Sequence, residues 1–314
     1  MSQRVLNKEV PQKQKASSIP LKQKSHLGRH QALIGYLFVS PAFSMFLIFA
    51  LFPAIIAFGL SLTNYDILSE TKWVGFNNYS RLWQDELFFV SLRNVMFYAV
   101  LFIPLMIVLS LGLALALNRK VPGMKFFRTV FYFPMVTSGV AASSVWVWLL
   151  NKDHGLINQF IGIFGVNGLA WLSNSDTAMF AIVLGTLWQG LGGNMIIYLA
   201  GLQGVSAYLY EAAVLDGANK WQLLRYITWP SLKTTTFFVS TLSLIGAFQL
   251  SDQAYVMTKG GPANATRTVV YNIYETGFNR LQMGYASAQA FALFMIILAV
   301  SLINLRLNRE NNLV

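Results

Sequence analysis

The 314-residue chain contains no cysteine. Disulfides, thiolate metal centres and a cysteine nucleophile are therefore excluded. Charge is the second scarcity: 11% of the residues are Asp, Glu, Lys or Arg, against ~25% in an ordinary soluble domain. With 55% hydrophobic residues and a mean hydropathy of +0.51, that deficit points to lipid as solvent. Of the three histidines, His26 and His30 form a pair in a basic, polar tail and read as solvated residues, and His154 has no carboxylate or histidine at ligand spacing on a helix face, so no metal site is expected. The Gly-Lys dipeptide is missing altogether, which removes a phosphate-cradling P-loop. The stretch Gly190-Leu191-Gly192-Gly193 follows an apolar run and lacks the strand-turn-helix setting of a dinucleotide site. No carboxylate pair, zinc-type His-Glu pattern or serine nucleophile turn stands out.

What is present is six uncharged runs, at 33–63, 94–118, 129–151, 177–201, 234–251 and 281–305. At ~1.5 Å per residue each is long enough to cross a ~30 Å hydrocarbon core. Backbone in lipid must satisfy its own hydrogen bonds, so the runs are expected to be helices. The fold class expected is all-α, a polytopic membrane protein with six transmembrane helices. Spans without ionisable groups count against an intramembrane enzyme and against a proton-coupled pump. Energy for transport must then come from another chain.

Lysine and arginine fix the orientation. Residues 1–31 form a basic, polar tail with Arg4, Lys8, Lys13, Lys15, Lys22, Lys24 and Arg29. It lacks the early apolar core of a signal peptide. With this tail in the cytoplasm, sixteen of the twenty-three basic residues fall inside, and the net charge divides as +12 inside and −1 outside. Both termini are then cytoplasmic. The basic balance reflects topology, and no nucleic-acid partner is needed to explain it.

The segment 206–230, on the cytoplasmic side, is polar and helix-prone between two apolar runs. Residues 207–215 can form a short helix with Ser206 at its N-cap. Gly217 suits a helix C-terminal turn. Asn219 can cap a second helix, with Gln222 three residues on as its reciprocal partner. Trp221, Leu224 and Ile227 fall three apart on one face, and Pro230 marks the restart into the fifth span. Such a hairpin either docks on a partner or lies on lipid, and the pattern alone leaves both open.

The run Glu211-Ala212-Ala213-Val214-Leu215-Asp216-Gly217-Ala218, followed by Trp221-Gln222 and Ile227-Thr228-Trp229-Pro230, resembles the EAA motif of ABC importer permease subunits. More narrowly it is similar to the MalF/UgpA type of carbohydrate-uptake permease. Trp73-Val74-Gly75-Phe76-Asn77-Asn78-Tyr79 resembles the segment after the first span in such permeases. Thr258-Lys259-Gly260-Gly261-Pro262-Ala263-Asn264-Ala265-Thr266 resembles their Gly-Gly-Pro loop. The likeness covers essentially the whole chain after the tail. One departure is Leu224, where the family commonly has phenylalanine.

The resemblance implies an ABC type I importer permease fold, with domain 32–314 carrying the coupling loop at 206–230. It implies a bacterial inner membrane location and a non-catalytic subunit. A MalG-like permease forms the other half of the pathway, and an extracytoplasmic solute-binding protein delivers sugar. Two copies of a cytoplasmic ATPase subunit hold ATP and Mg, and this chain binds no cofactor of its own. The coupling residues implied are Glu211, Ala212, Asp216, Gly217, Trp221, Leu224 and Arg225.

For the substrate pathway, Thr186, Gln189, Gly190 and Gly193 lie at i, i+3, i+4 and i+7, on one helix face. Ser243, Ala247 and Leu250 form a comparable stripe. By position relative to the EAA loop these match the sugar-contacting stretches of the MalF-like half, with Trp188 or Phe248 available for stacking. Helix packing by small residues explains the same stripe. Gln249, Asp252 and Gln253 either line the outer mouth or face water. Alternatives are the same architecture importing glycerol-3-phosphate or a polyol glycoside, for which Arg267 and Arg280 are the external cations, or a secondary transporter, for which no internal repeat is visible.

Overall fold

The computed structural model describes residues 29–119, 121–165 and 168–311, with side chains described from 32 to 306. The basic tail expected at 1–31 thus lies almost wholly outside the described residues, as does Lys120. Among the described residues there is no strand, only an isolated antiparallel bridge between Thr63 and Trp73. The chain divides into two compact units, Met1–Pro53 and Ala54–Val314. In chain order the principal helices are α1 (Ala32–Ser61), α2 (Glu86–Leu117), α3 (Met124–Tyr132), α4 (Gly139–Leu149), α5 (Ser175–Gln203) and α6 (Ala207–Leu215). They are followed by α7 (Lys220–Leu223), α8 (Lys233–Phe248), α9 (Asp252–Thr258), α10 (Val269–Tyr274) and α11 (Met283–Asn311).

Among the described residues, four helices are long and apolar enough to cross a membrane: α1, α2, α5 and the Met283–Arg306 part of α11. Two of the six expected spans are not continuous helices. The run at 129–151 is bent by 99° between Met124–Val136 and α4. Thr137 and Ser138 are extended there (ψ 148° and 134°) after a 3₁₀ turn containing Pro134. Proline lacks an N–H and limits the residues around it, and Gly139 reopens the helix. The run at 234–251 is helical only to Phe248, which leaves 16 residues. Asp252 starts a separate helix after it, because the first turn of a helix favours a carboxylate that the span interior would not.

Helix α2 is the column on which the second unit is built. Asp85 caps it by accepting from Leu87 N (3.0 Å) and Phe88 N (3.2 Å). Its buried side chains enter three clusters along its length. Tyr98, Phe102 and Met106 pack with Met179, Ile182 and Leu187 of α5. Leu111 and Leu117 pack with Met195, Tyr198 and Leu199 of α5 and with Val239 of α8. Phe88 and Val95 pack with Phe248, Val269 and Leu293.

Close approach to α5 depends on its small residues, as in other helix pairs within lipid. A Cβ on Gly192 would sit 2.1 Å from the Phe131 carbonyl oxygen, and one on Gly201 would sit 2.5 Å from Thr235 Oγ1. The segment after the first span closes the end of α1. The buried Asn78 Nδ2 donates to the Ser61 and Thr63 carbonyls, both at 2.8 Å, satisfying acceptors that a helix end leaves open.

Candidate functional site

Helices α2, α5 and α8, with the segment running into α9, enclose a cavity of about 630 Å³. Of the seven residues expected on the pathway, Thr186, Gly190, Gly193, Ser243 and Leu250 line it. Ala247 does not: it is fully buried in the core between α2, α5 and α9. Gln189 is not part of the lining either, but stands just behind the wall. Gln249, Asp252 and Gln253, which the sequence left between mouth and water, line the cavity, together with Asn194. The small-residue reading also holds, since a Cβ on Gly193 would fall 2.3 Å from Met135 Sδ and one on Gly190 2.8 Å from Met106 Cε.

Sequence reasoning placed the flat apolar surface on the wrong rings. Trp188 packs edge-on against Trp146, with centroids 6.1 Å apart, and is not in the wall. Phe248 is buried with Phe88 and Val95. The aromatic surface comes from Tyr98, Phe102 and Tyr132. Tyr98 stacks on Phe102 at 5.0 Å and donates to Thr186 Oγ1 at 2.9 Å. Tyr98 and Phe102 were missed because α2 is apolar all round, so no stripe marks its inner face. A tyrosine in an otherwise apolar run was the one available signal.

The outer end of the cavity is tied by an amide relay across three elements. Gln253 Nε2 donates to Gln189 Oε1 (3.0 Å), and Gln189 Nε2 donates to the Thr137 carbonyl (3.2 Å) at the break between α3 and α4. The bend exposes that carbonyl, and the Gln189 side chain satisfies it. The place of Gln189 is therefore structural, holding α5, α9 and the broken helix in register.

The loop at 206–230 forms the helical hairpin expected. Gly217 has φ +83°, a conformation glycine adopts at little cost. Ala218 N donates to Ala213 O (2.9 Å) and Gly217 N to Val214 O (3.0 Å), the paired bonds of a Schellman turn closing α6. Asn219 and Gln222 form a reciprocal capping box, with bonds of 2.7 and 2.9 Å. Ser206 occupies the N-cap position of α6 without a side-chain hydrogen bond, so that cap is positional only.

The three-residue stripe of Trp221, Leu224 and Ile227 does not survive. Residues Leu224–Thr228 form a π-turn, which widens the helix where the ring and missing N–H of Pro230 would conflict with the carbonyl four residues back. Trp221 is left 69% exposed, while Leu224 and Ile227 are half-buried. Tyr226, Leu215 and Tyr208 are also exposed. Glu211, Asp216 and Arg225 are exposed, and Ala212 is half-buried. Among the described residues neither Glu211 nor Arg225 has an ion-pair partner. The hairpin thus presents charge and aromatic surface around a groove of about 290 Å³ lined by Ala213, Asp216, Gly217, Gln222 and Tyr226.

At the other end, the Gly-Gly-Pro loop is pinned to α2. Asn94 Nδ2 donates to the Asn264 carbonyl (2.7 Å) and the Arg267 carbonyl (3.0 Å). Arg267 is buried, pairs with Glu275 and bonds Asn272 Oδ1 at 2.9 Å. Arg280 pairs with the other oxygen of Glu275 at 3.0 Å. Burial raises the Tyr271 phenol above its ordinary range, and the nearby Glu275 carboxylate adds to the rise. Both external arginines are engaged in this knot, and no cation lines the cavity. The reading of a phosphorylated cargo loses the residues that kept it open.

The chain is thus a helical membrane protein with an internal cavity lined by aromatic, amide and hydroxyl side chains and a separately folded hairpin, the architecture of a permease. Residues 106–311 match the family described as binding-protein-dependent transport system inner membrane component. The chain belongs to that family of ABC importer permeases. It is 34% identical over 286 residues to the probable ABC transporter permease protein YesP of Bacillus subtilis, covering 90% of this chain and 92% of that one. It is 34% identical to the lactose transport system permease protein LacF of Rhizobium radiobacter, over 91% and 98% of the two chains. The trehalose/maltose transport system permease protein MalF of Thermococcus litoralis is 30% identical, over 91% and 97%. A chain of a bacterial alginate ABC transporter, solved in complex with an alginate pentasaccharide-bound periplasmic protein, shares the fold at a TM-score of 0.78 and 22% identity, over 90% and 96%.

Proposed function

We infer that this chain is one of two permease subunits of an ATP-driven importer for sugars in a bacterial inner membrane. It crosses six times, with both termini cytoplasmic. The broken helix α3–α4 counts as one crossing, and α8 with the residues following it as another. The partition of +12 and −1 between the two sides supports this topology. So does the meeting of Asn118, Arg119, Lys125 and Arg128 with Gln203 around one pocket, which gathers the 118–128 loop and the end of α5 at the same face.

The observation that carries the reading is the combination, in a member of this family, of a 630 Å³ cavity without a cationic side chain in its wall and the hairpin at 206–230. Sugar cargo is supported by the lactose, trehalose/maltose and arabinooligosaccharide permeases among the relatives and by amide and hydroxyl groups set among aromatic rings in the wall. A solute-binding protein delivers the sugar, and a MalG-like permease completes the cavity. Two ATPase subunits, carrying ATP and Mg, each grip one hairpin.

In this mechanism Glu211 and Arg225 make charge-assisted contacts with the ATPase. Trp221, Leu224 and Ala212 give apolar contact, and Asp216 and Gly217 fix the angle between α6 and α7. Closure of the ATPase pair then reaches the spans as a rigid-body rotation. Co-expression with the ATPase of the same importer tests this. The permease pair should co-purify with two ATPase copies, and replacing 206–230 of this chain by a glycine-serine linker should lose the copy that this hairpin grips. An unchanged ratio of ATPase to permease in the linker variant would overturn the coupling role.

A further inference from the structure

Resting on the reading of the cavity as a sugar path, we propose that this cavity selects its cargo by charge, with Asp252 as the specificity-determining residue. It accepts uncharged and amino-substituted sugars and rejects uronates. Three observations carry this. The wall holds a single ionisable carboxylate, Asp252, and no lysine, arginine or histidine. Among the described residues no group donates a hydrogen bond or an ion pair to that carboxylate, and its Oδ2 lies 3.0 Å from where a Cβ on Gly139 would be. Gly139 opens α4, an eleven-residue helix whose N-cap Ser138 supplies no side-chain hydrogen bond. The positive end of a helix attracts the carboxylate and leaves its oxygens available to hydroxyl or ammonium donors.

The third observation is independent of charge. Ser243 lines the same cavity, is 6% exposed, and its Oγ has no hydrogen-bond partner. That oxygen is shielded from solvent in this conformation; a buried hydroxyl without a partner is costly, and a cargo hydroxyl admitted by a small shift of the wall would satisfy it. Neighbouring hydroxyls of a sugar ring can donate to the two oxygens of one carboxylate, the geometry in which carboxylates bind polyols tightly. A uronate would instead bring a second carboxylate beside Asp252, with no cation to offset it. This separates the chain from its fold neighbour, whose cargo is described as the acidic polysaccharide alginate: shared fold at 22% identity does not carry cargo charge with it.

The test uses the assembled importer in lipid nanodiscs and three probes, glucose, glucosamine (an ammonium in place of the C2 hydroxyl) and glucuronate (a carboxylate in place of the C6 hydroxymethyl), read by saturation-transfer NMR. Two like charges ~5 Å apart at an effective dielectric of ~20 disfavour binding by roughly 300-fold. Wild type should bind glucose and glucosamine and discriminate against glucuronate by at least about tenfold, since salt and side-chain motion weaken the bare figure. Asp252→Asn should bring glucuronate to within about threefold of glucose. Ser243→Ala should weaken all three without changing their ratio. Raising the salt concentration on the wild-type complex should narrow the discrimination, a reading that needs no variant. Equal binding of glucose and glucuronate by wild type, or discrimination unchanged in Asp252→Asn, overturns the charge selection while the sugar path stands. Failure of all three probes to bind the intact complex overturns the sugar path itself.

Discussion

Gly217 offers the sharpest perturbation of the handle. Its φ of +83° costs an L-residue roughly 1–2 kcal/mol, and more for a β-branched one. A Cβ there would meet nothing within 4 Å, so the penalty is purely conformational. The turn is held by two Schellman bonds and a two-bond capping box, each worth about 1 kcal/mol net, on a hairpin otherwise mostly exposed. A 1–2 kcal/mol penalty shifts the population of the correct turn by about 5–30-fold, a large part of what holds it.

Gly217→Val should therefore suppress sugar-stimulated ATP hydrolysis and uptake by roughly that factor, with membrane insertion unchanged. Gly217→Asn should retain most activity, because asparagine tolerates the left-handed region. Gly217→Asp is tolerated by the backbone for the same reason but adds a carboxylate beside Asp216 in the groove. It should therefore abolish transport-coupled hydrolysis through charge at the docking face. The assay is ATPase activity and uptake in proteoliposomes. Full activity in Gly217→Val, or equal losses in the Val and Asn variants, would refute the conformational reasoning, and unchanged uptake in Gly217→Asp would refute the docking role of this turn.

Two further outcomes follow from the cavity wall. Gln189→Leu leaves the Thr137 carbonyl and the Gln253 amide unpaired, at about 1–3 kcal/mol each; the solubilised importer should melt earlier and apparent affinity in uptake should change, and unaltered melting together with unaltered uptake kinetics would reject the relay. Gly192→Ala drives a Cβ into the Phe131 carbonyl at 2.1 Å, whereas Gly190→Ala meets only the mobile end of Met106 at 2.8 Å. The first should cost about 1–3 kcal/mol or more and the second less than about 1 kcal/mol. Equal melting temperatures for the two variants would contradict the close packing of α3 on α5.

The hairpin was the most legible element, because its determinants are local. Gly217, Asn219 and Gln222 each act within four residues of themselves, and the structure realises all three as the sequence pattern requires. Ser206 and the Trp221–Leu224–Ile227 stripe were misread. The cap needed a side-chain orientation that sequence does not specify, and the stripe assumed an unbroken helical period across Pro230. Membrane runs were legible as composition but not as continuity. The break at Thr137 is stabilised by Gln189, a residue 52 positions away, and the end of α8 by the start of a helix that packs elsewhere.

The pathway was legible on α5, where polar and small residues interrupt an apolar run, and illegible on α2, whose inner face carries no such contrast. By itself, then, the sequence determined the solvent, the helical class and the helical hairpin at 206–230, since each depends on composition or on short-range chemistry. Only the tertiary structure decided which residues face the cavity, that Gln189 braces its wall, that Arg267 and Arg280 are spent on Glu275, and that Asp252 lines the cavity. Those facts depend on contacts between segments far apart in the chain, which local pattern cannot encode.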